Sequence, residues 1–384
     1  MDFSFSKEQI QICKVIEALC DRYLNTDVFL DDKLCRFRKD KWDKIAEAGV
    51  LGLPFPEEYG GAGQGMLTTA LAIRTFAQKC KDEGLTFSVC AQMTATQVPI
   101  WVFGTEDQKH KYLAGLVEGK YIGSSVISEP GVGSDSSAMI TFIDKEENFY
   151  ILNGVKNFAT LAPESNILVV YGKHKNGIRM LDVSSFILEK SKGEYEIGQI
   201  FEKTGLRSSP MSEVILKDCK ISKERLLGRE RQGMKIFFKA MLWERIMVSA
   251  YHVGAMEQQY EEVFKYANQR KQFNKKIIAF EGVYDKLVNM RIKIETSRLM
   301  LFKVCEDYDN GNCEMYKAAM LKLHTSECKV QNSFDAVNIL GAYGYVKESM
   351  IEKQMRDSLA SKIYSGTSEM QKKIISENLE KIYD

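Results

Sequence analysis

The sequence predicts a mainly α-helical protein with a β domain in its middle. Two observations carry this. Short runs of β-branched and aromatic residues crowd the stretch from Tyr121 to Asp218, and helical periodicity fills the chain on either side. A third concerns proline. None occurs from Gly233 to Asp384, so nothing of that kind breaks long helices there.

The elements follow in order. From Phe5 to Tyr23 the residues Ile10, Cys13, Ile16 and Cys20 recur at helical spacing. Trp42 to Val50 reads as a second helix, stopping at Gly49 or Gly52. LGLPFPEEYGGAGQG (Leu51–Gly65) is a loop, and Met66–Cys80 and Glu106–Leu116 return to helix. FYILNG (Phe149–Gly154), NILVVYG (Asn166–Gly172), SSFILEK (Ser184–Lys190) and SEVILKD (Ser212–Asp218) are strands. Strands in succession without helices between them predict an antiparallel sheet or small barrel. After Gly233 the pattern gives four or five long helices, a bundle.

The 384 residues exceed one ordinary core and imply two or three packed units. A net charge of +1 argues against a nucleic-acid binder. The nine cysteines include no CxxC pair and read as reduced thiols of a cytoplasmic protein. MDFSFSKEQI lacks the apolar core of a signal peptide, and no apolar run is long enough to span a membrane.

Several motifs carry chemistry. EYGGAGQG (Glu58–Gly65) has no strand before it, so a tight helix–helix connection is expected rather than a dinucleotide loop. In SEPGVGSD (Ser128–Asp135), Gly131 and Gly133 allow sharp turns that expose N–H groups to a ligand; a plain turn is the alternative. NGVKNFAT (Asn153–Thr160) offers an aromatic residue to a planar ligand, or simply an inward strand residue. On the helix KAMLWERIMVSAYHVGAM, Glu244 shares a face with Phe237, Ala240, Met241, Met247, Val248 and Tyr251. A carboxylate there is desolvated, which makes it a general base or one half of an ion pair. QRKQFNKKI (Gln269–Ile277) is a pyrophosphate grip or a solvated helix end. ILGAYGY and IYSGTSEMQ break the C-terminal helices as ligand contacts or caps. The four histidines are isolated, and none reads as a metal ligand.

The order of these motifs says more than any one of them. GLPFPEEYGGAGQG, FGTEDQKHKYLAGLVEGKYIGSSVISEPGVGSD, LNGVKNFAT, KTGLRSSP, RKQF, ILGAYGY, MRDS and YSGTSEMQ together resemble the acyl-CoA dehydrogenase family from about Phe5 to Ile382. The resemblance implies an N-terminal helical domain (1–121), an antiparallel β-barrel domain (122–222) and a C-terminal four-helix bundle (223–384). It implies FAD between the β domain and the bundle, and a homotetramer built as a dimer of dimers. It also implies site residues. Ile127, Ser128, Gly133 and Ser134 line the flavin, Ser134 also meeting the substrate arm. Phe158 lies on the ring system, and Thr160 is near its reactive nitrogen. Arg270, Gln272 and Phe273 reach the partner subunit's FAD; Asn338, Gly341 and Ala342 meet its ADP part; Thr367 and Glu369 contact the flavin.

Many relatives place the catalytic glutamate after the tyrosine of the last motif. Here that place is Ser365, and the resemblance moves the base to Glu244, as in isovaleryl-CoA dehydrogenase. Arg245 and Ser365 are then expected at the substrate, with the Ser365 N–H facing the developing enolate. WER, LRSSPMSEV and YSGTSEMQ look nearest to a subgroup of secondary metabolism that oxidises L-prolyl thioesters of acyl or peptidyl carrier proteins. Leu242 replaces an aspartate found near the pantetheine arm in some CoA-using members. The alternatives are a short branched-chain acyl-CoA dehydrogenase and a non-catalytic binding protein of the same fold. Either an electron-transfer flavoprotein or O2 fits as electron acceptor.

Overall fold

The computed structural model describes residues 5–175 and 179–383. Residues 1–4, part of the stretch read for a leader, lie outside them. The N-terminal helices are α1 (Lys7–Leu19), α2 (Val28–Lys33), α3 (Lys39–Glu47), α4 (Met66–Lys79), α5 (Glu83–Ala91), α6 (Val98–Phe103), α7 (Glu106–Gln108) and α8 (Ala114–Val117). Ser6 and Gln9 form a reciprocal capping box that starts α1.

The loop before α4 is a structural connection. A Cβ on Gly61 would lie 2.0 Å from the Phe55 carbonyl oxygen, so only glycine lets the chain fold back there. Gly61→Ala is expected to destabilise the protein by about 1–3 kcal/mol. Denaturant unfolding would show this as a lower midpoint, and an unchanged midpoint would refute it.

The middle strands are β1 (Gly123–Val126), β2 (Phe142–Lys145), β3 (Phe149–Thr160), β4 (Ile167–His174), β5 (Val183–Glu189), β6 (Glu196–Ile200), β7 (Met211–Ser222) and β8 (Leu226–Leu227). They form one sheet in the order β6-β7-β3-β2-β4-β5-β8, with β1 beside β4. Among the described residues the expected barrel does not close: β6 and β8 are the ends of this path. Nor is the sheet wholly antiparallel, because both β1 and β2 run parallel to β4. Those pairings arise because the chain leaves β1 and β2 and returns to both only after further connections.

β4 explains how the sheet docks. Ile167, Val169 and Tyr171 enter the main core with the N-terminal helices and the bundle, while Leu168 and Val170 enter a second core on the other face. A strand buried on both faces reads as the unbroken apolar run seen in its sequence.

The C-terminal part contains α9 (Gly233–Gln269), the hairpin β9 (Lys271–Gln272) and β10 (Lys275–Lys276), α10 (Glu281–Asp309), α11 (Met315–Leu340), α12 (Ala342–Tyr345), α13 (Met350–Leu359), α14 (Ser368–Ser376) and α15 (Leu379–Tyr383). Among the described residues three helices here are long, with 37, 29 and 26 residues, rather than four or five. Gly341, at φ 62°, ends α11, and the turn at Ser365 and Gly366 separates α13 from α14. The absence of proline hides both breaks. From Arg245 to Glu257 nearly every residue of α9 is buried, so Glu244 stands at the threshold of the core.

Candidate active site

Glu244 projects from α9 and is partly accessible. The Ser365 hydroxyl donates to its Oε1 at 2.6 Å. Ser365 lies in the turn after α13, with φ 56°, and Gly366 follows at φ 87°. Gly366 adopts this region freely, but Ser365 needs support from its surroundings. The support is visible. Arg245 Nε (3.3 Å) and Gln371 Nε2 (3.0 Å) donate to the Ser365 carbonyl. Lys322 Nζ (2.8 Å) and Gln371 Nε2 (2.7 Å) donate to the Gly366 carbonyl. The backbone N–H of Ser365 makes no hydrogen bond among the described residues.

The electrostatics follow from burial. Desolvation pushes the Glu244 carboxyl above the ordinary range, while the Ser365 hydroxyl, Arg245 and Lys322 pull the other way. Burial brings Arg245 down to about 10 and Lys322 down to about 8. No salt bridge to either cation occurs among the described residues; Glu244 acts on both at longer range, and Glu327 and Glu369 act on Lys322 as well. Behind them His252 accepts or donates to Tyr364 (2.6 Å) and Thr325 (3.0 Å), and burial holds the imidazole neutral. A poised carboxyl flanked by a free N–H can remove a proton next to a carbonyl.

The β-domain motifs meet one another. Asn157 N donates to Ser128 O at 2.8 Å, tying SEPGVGSD to NGVKNFAT. Beneath that contact lies an ion pair that the sequence reading missed. Lys156 Nζ is 2.7 Å from Glu129 Oε1, and both side chains are fully buried. Glu129 also accepts from the N–H groups of Ile140 (2.6 Å) and Thr141 (3.0 Å), and Lys156 reaches Ile127 O at 3.3 Å. The available signal was register: Lys156 sits at an inward strand position, where a cation needs an anion. Ile127, Ser128 and Thr160 are half-buried, and Gly133 and Ser134 are exposed. Phe158 has φ 56° and an exposed ring 5.3 Å from that of Phe201.

The remaining residues lie elsewhere. Arg270, Gln272 and Phe273 are exposed at the hairpin after α9, and Asn338, Gly341 and Ala342 are exposed where α11 ends. Stacking of Tyr266 on Tyr343, with centroids 5.7 Å apart, brings these two groups together. Arg270 is the extended residue that caps the C-terminal end of α9, 26 positions after Glu244, a separation of about 39 Å along the helix. Thr367 caps α14 through Met370 N (3.3 Å), and Glu369 is exposed in its first turn.

Family models for the N-terminal, middle and C-terminal domains of acyl-CoA dehydrogenase match residues 6–120, 124–219 and 231–380. The chain belongs to the acyl-CoA dehydrogenase family. Within that family it is 36% identical over 380 residues to an L-prolyl-[peptidyl-carrier protein] dehydrogenase of Pseudomonas fluorescens, covering 99% of this chain and 100% of the relative. Among solved structures it is similar to the prolyl acyl carrier protein oxidase AnaB, with TM-score 0.96, 36% identity and 98% and 100% of the two chains covered. It is also similar to PigA with FAD and proline, with TM-score 0.96, 33% identity and 99% of each chain covered.

The residues present fit the family's FAD. The exposed Phe158 ring lies against the half-buried Phe201 ring, and a Cβ on Gly131 or Gly133 would meet only open space. An exposed ring of this kind suits a planar partner. No helix among the described residues is long and apolar enough to cross a membrane.

Proposed function

We infer that the chain is an FAD-dependent oxidoreductase that removes two hydrogens from a small acyl thioester, L-prolyl on a carrier protein, giving a pyrroline-type product. Glu244 carries this reading: a carboxyl on a bundle helix, desolvated, with one hydroxyl partner and no ion pair among the described residues. Likeness over nearly the full chain to prolyl-carrier dehydrogenases and oxidases supports the substrate class.

The thioester carbonyl acidifies its neighbouring C–H bond. Glu244 takes that proton, and burial raises its affinity for it. The Ser365 N–H faces the oxygen on which charge develops, an oxyanion role that its lack of a protein partner supports. FAD, when bound, supplies acceptance of the hydride from the adjacent carbon. Ile127, Ser128, Gly133, Ser134, Phe158 and Thr160 would hold its flavin portion, with Thr367 and Glu369; Ser134 and Arg245 would also serve the substrate.

The distance between Glu244 and Arg270 supports a shared arrangement. Arg270, Gln272, Phe273, Asn338, Gly341 and Ala342 of one copy would hold FAD belonging to another. The apolar row Tyr284, Val288, Ile292 and Leu299 on α10, exposed in the single chain, supports assembly to a homotetramer. The nine unpaired cysteines support a reducing, cytoplasmic location.

The test is anaerobic flavin reduction by prolyl-loaded carrier protein and, separately, by isovaleryl-CoA. Bleaching of the visible flavin band by the carrier substrate is expected. Bleaching by the CoA ester alone would overturn the carrier assignment, and bleaching by neither would overturn the dehydrogenase reading.

A further inference from the structure

The turn at Ser365 and Gly366 is held from both sides at once. Each of its two carbonyls accepts two side-chain hydrogen bonds, from Arg245 and Gln371 on one and from Lys322 and Gln371 on the other. Ser365 itself is buried and adopts φ 56°, a conformation in which serine has no intrinsic preference over glycine. So much support at a strained residue calls for a purpose beyond reversing the chain. The only side-chain atom so aimed is the Ser365 hydroxyl, and it points at the Glu244 carboxylate, 2.6 Å away.

We propose that Ser365 is a positioning residue for proton abstraction: its hydroxyl, aimed by the clamped turn, occupies Oε1 of Glu244 and leaves Oε2 as the proton acceptor. The proposal rests on Glu244 as the base and adds to it a device that sets its orientation and charge. A carboxylate that receives a hydrogen bond is favoured in its ionised form. Ser365 thereby opposes the desolvation that favours the protonated, idle form of Glu244. Arg245 and Lys322 act on Glu244 twice, as distant positive charges and as the clamps that aim the serine.

The charged and titratable groups around Glu244 are Arg245 on α9, Lys322 on α11, Cys90 on α5, Tyr171 on β4 and Tyr364 beside Ser365. Burial raises the thiol and both phenols above their ordinary values, so they stay neutral through the acid and neutral range. Burial brings Lys322 to about 8, the lower of the two cations.

Two variants remove the hydroxyl differently. Ser365→Ala keeps the Cβ, and Ser365→Gly relieves the positive φ, so an effect shared by both belongs to the hydroxyl. The direct measurement is the Glu244 carboxyl band in infrared spectra of the FAD-bound protein against pH, assigned by its loss in Glu244→Gln. Loss of a hydrogen bond to a charged group moves the titration midpoint up by about one to two pH units. The acid limb of substrate-driven flavin reduction is expected to move up by the same amount, with the deficit shrinking as pH rises.

An unchanged midpoint in both variants, or a shift in only one of them, would overturn the proposal. So would a loss of rate that is uniform across pH. The infrared titration needs no substrate. If no thioester reduces the native flavin, the proposed function falls while the band still reports whether Ser365 sets the charge of Glu244.

Discussion

Glu244→Gln is expected to bind FAD as the native chain does and to slow flavin reduction by the acyl thioester about 10²–10⁴-fold, the range supplied by a positioned general base. Glutamine matches the shape of glutamate, and its amide oxygen still accepts from the Ser365 hydroxyl, so the turn stays in place. What disappears is the ability to take a proton. Stability is expected to hold or rise, because an uncharged amide carries no ionic desolvation penalty at this site. Glu369 provides the control. It is exposed in the first turn of α14, where the helix N-terminus favours its charge. Glu369→Gln is therefore expected to leave the pH dependence of proton removal unchanged. Stopped-flow reduction of the two variants decides between the carboxylates. A Glu244→Gln protein that bleaches at the native rate would remove Glu244 from the chemistry.

Parts of this site were legible in the sequence for physical reasons. Glu244 stood out because a charge interrupted an apolar helical face, and the structure keeps it at the edge of the core. The strands were legible because β-branched runs between turn residues leave few alternatives. α5 and α6 were not. In α5 nearly every residue is buried, Thr86 and Ser88 along with the apolar side chains, so no stripe marks a solvent face, and α6 spans only six residues, too few for a period to show. The parallel pairings of β1 and β2 with β4 were hidden as well. Alternation reports which way side chains face but says nothing about which strand lies alongside. The hydroxyl of Ser365 was invisible for another reason: what it touches is 121 positions away, and its aim is set by side chains on three separate elements.

Lys156 is the other residue whose replacement has large consequences, and they run through stability and cofactor retention. Its ammonium and the Glu129 carboxylate are both sealed from solvent. Desolvation acts against both charges, and burial brings Lys156 down to about 8, still ionised at neutral pH. For Glu129 burial alone would raise the pKa, but Lys156 and the bonds from Thr141 and Ile140 hold it below the ordinary carboxylate value. Acid-side behaviour follows Glu129, because these fixed partners favour its anion. With a folded pKa below the unfolded one, it contributes stability above the unfolded pKa, and this contribution is lost as pH falls through the folded pKa. Lys156→Met leaves Glu129 buried without its cation, a change that typically costs about 3–5 kcal/mol. The strain falls on residues 127–141, which carry Gly133 and the other residues proposed to hold the flavin, so weaker FAD retention is expected together with a lower unfolding midpoint. Adding Glu129→Gln removes the stranded charge and is expected to recover most of the loss, giving strong coupling in a double-mutant cycle. Additive effects, or native FAD affinity in Lys156→Met, would show that the pair does not brace the loop.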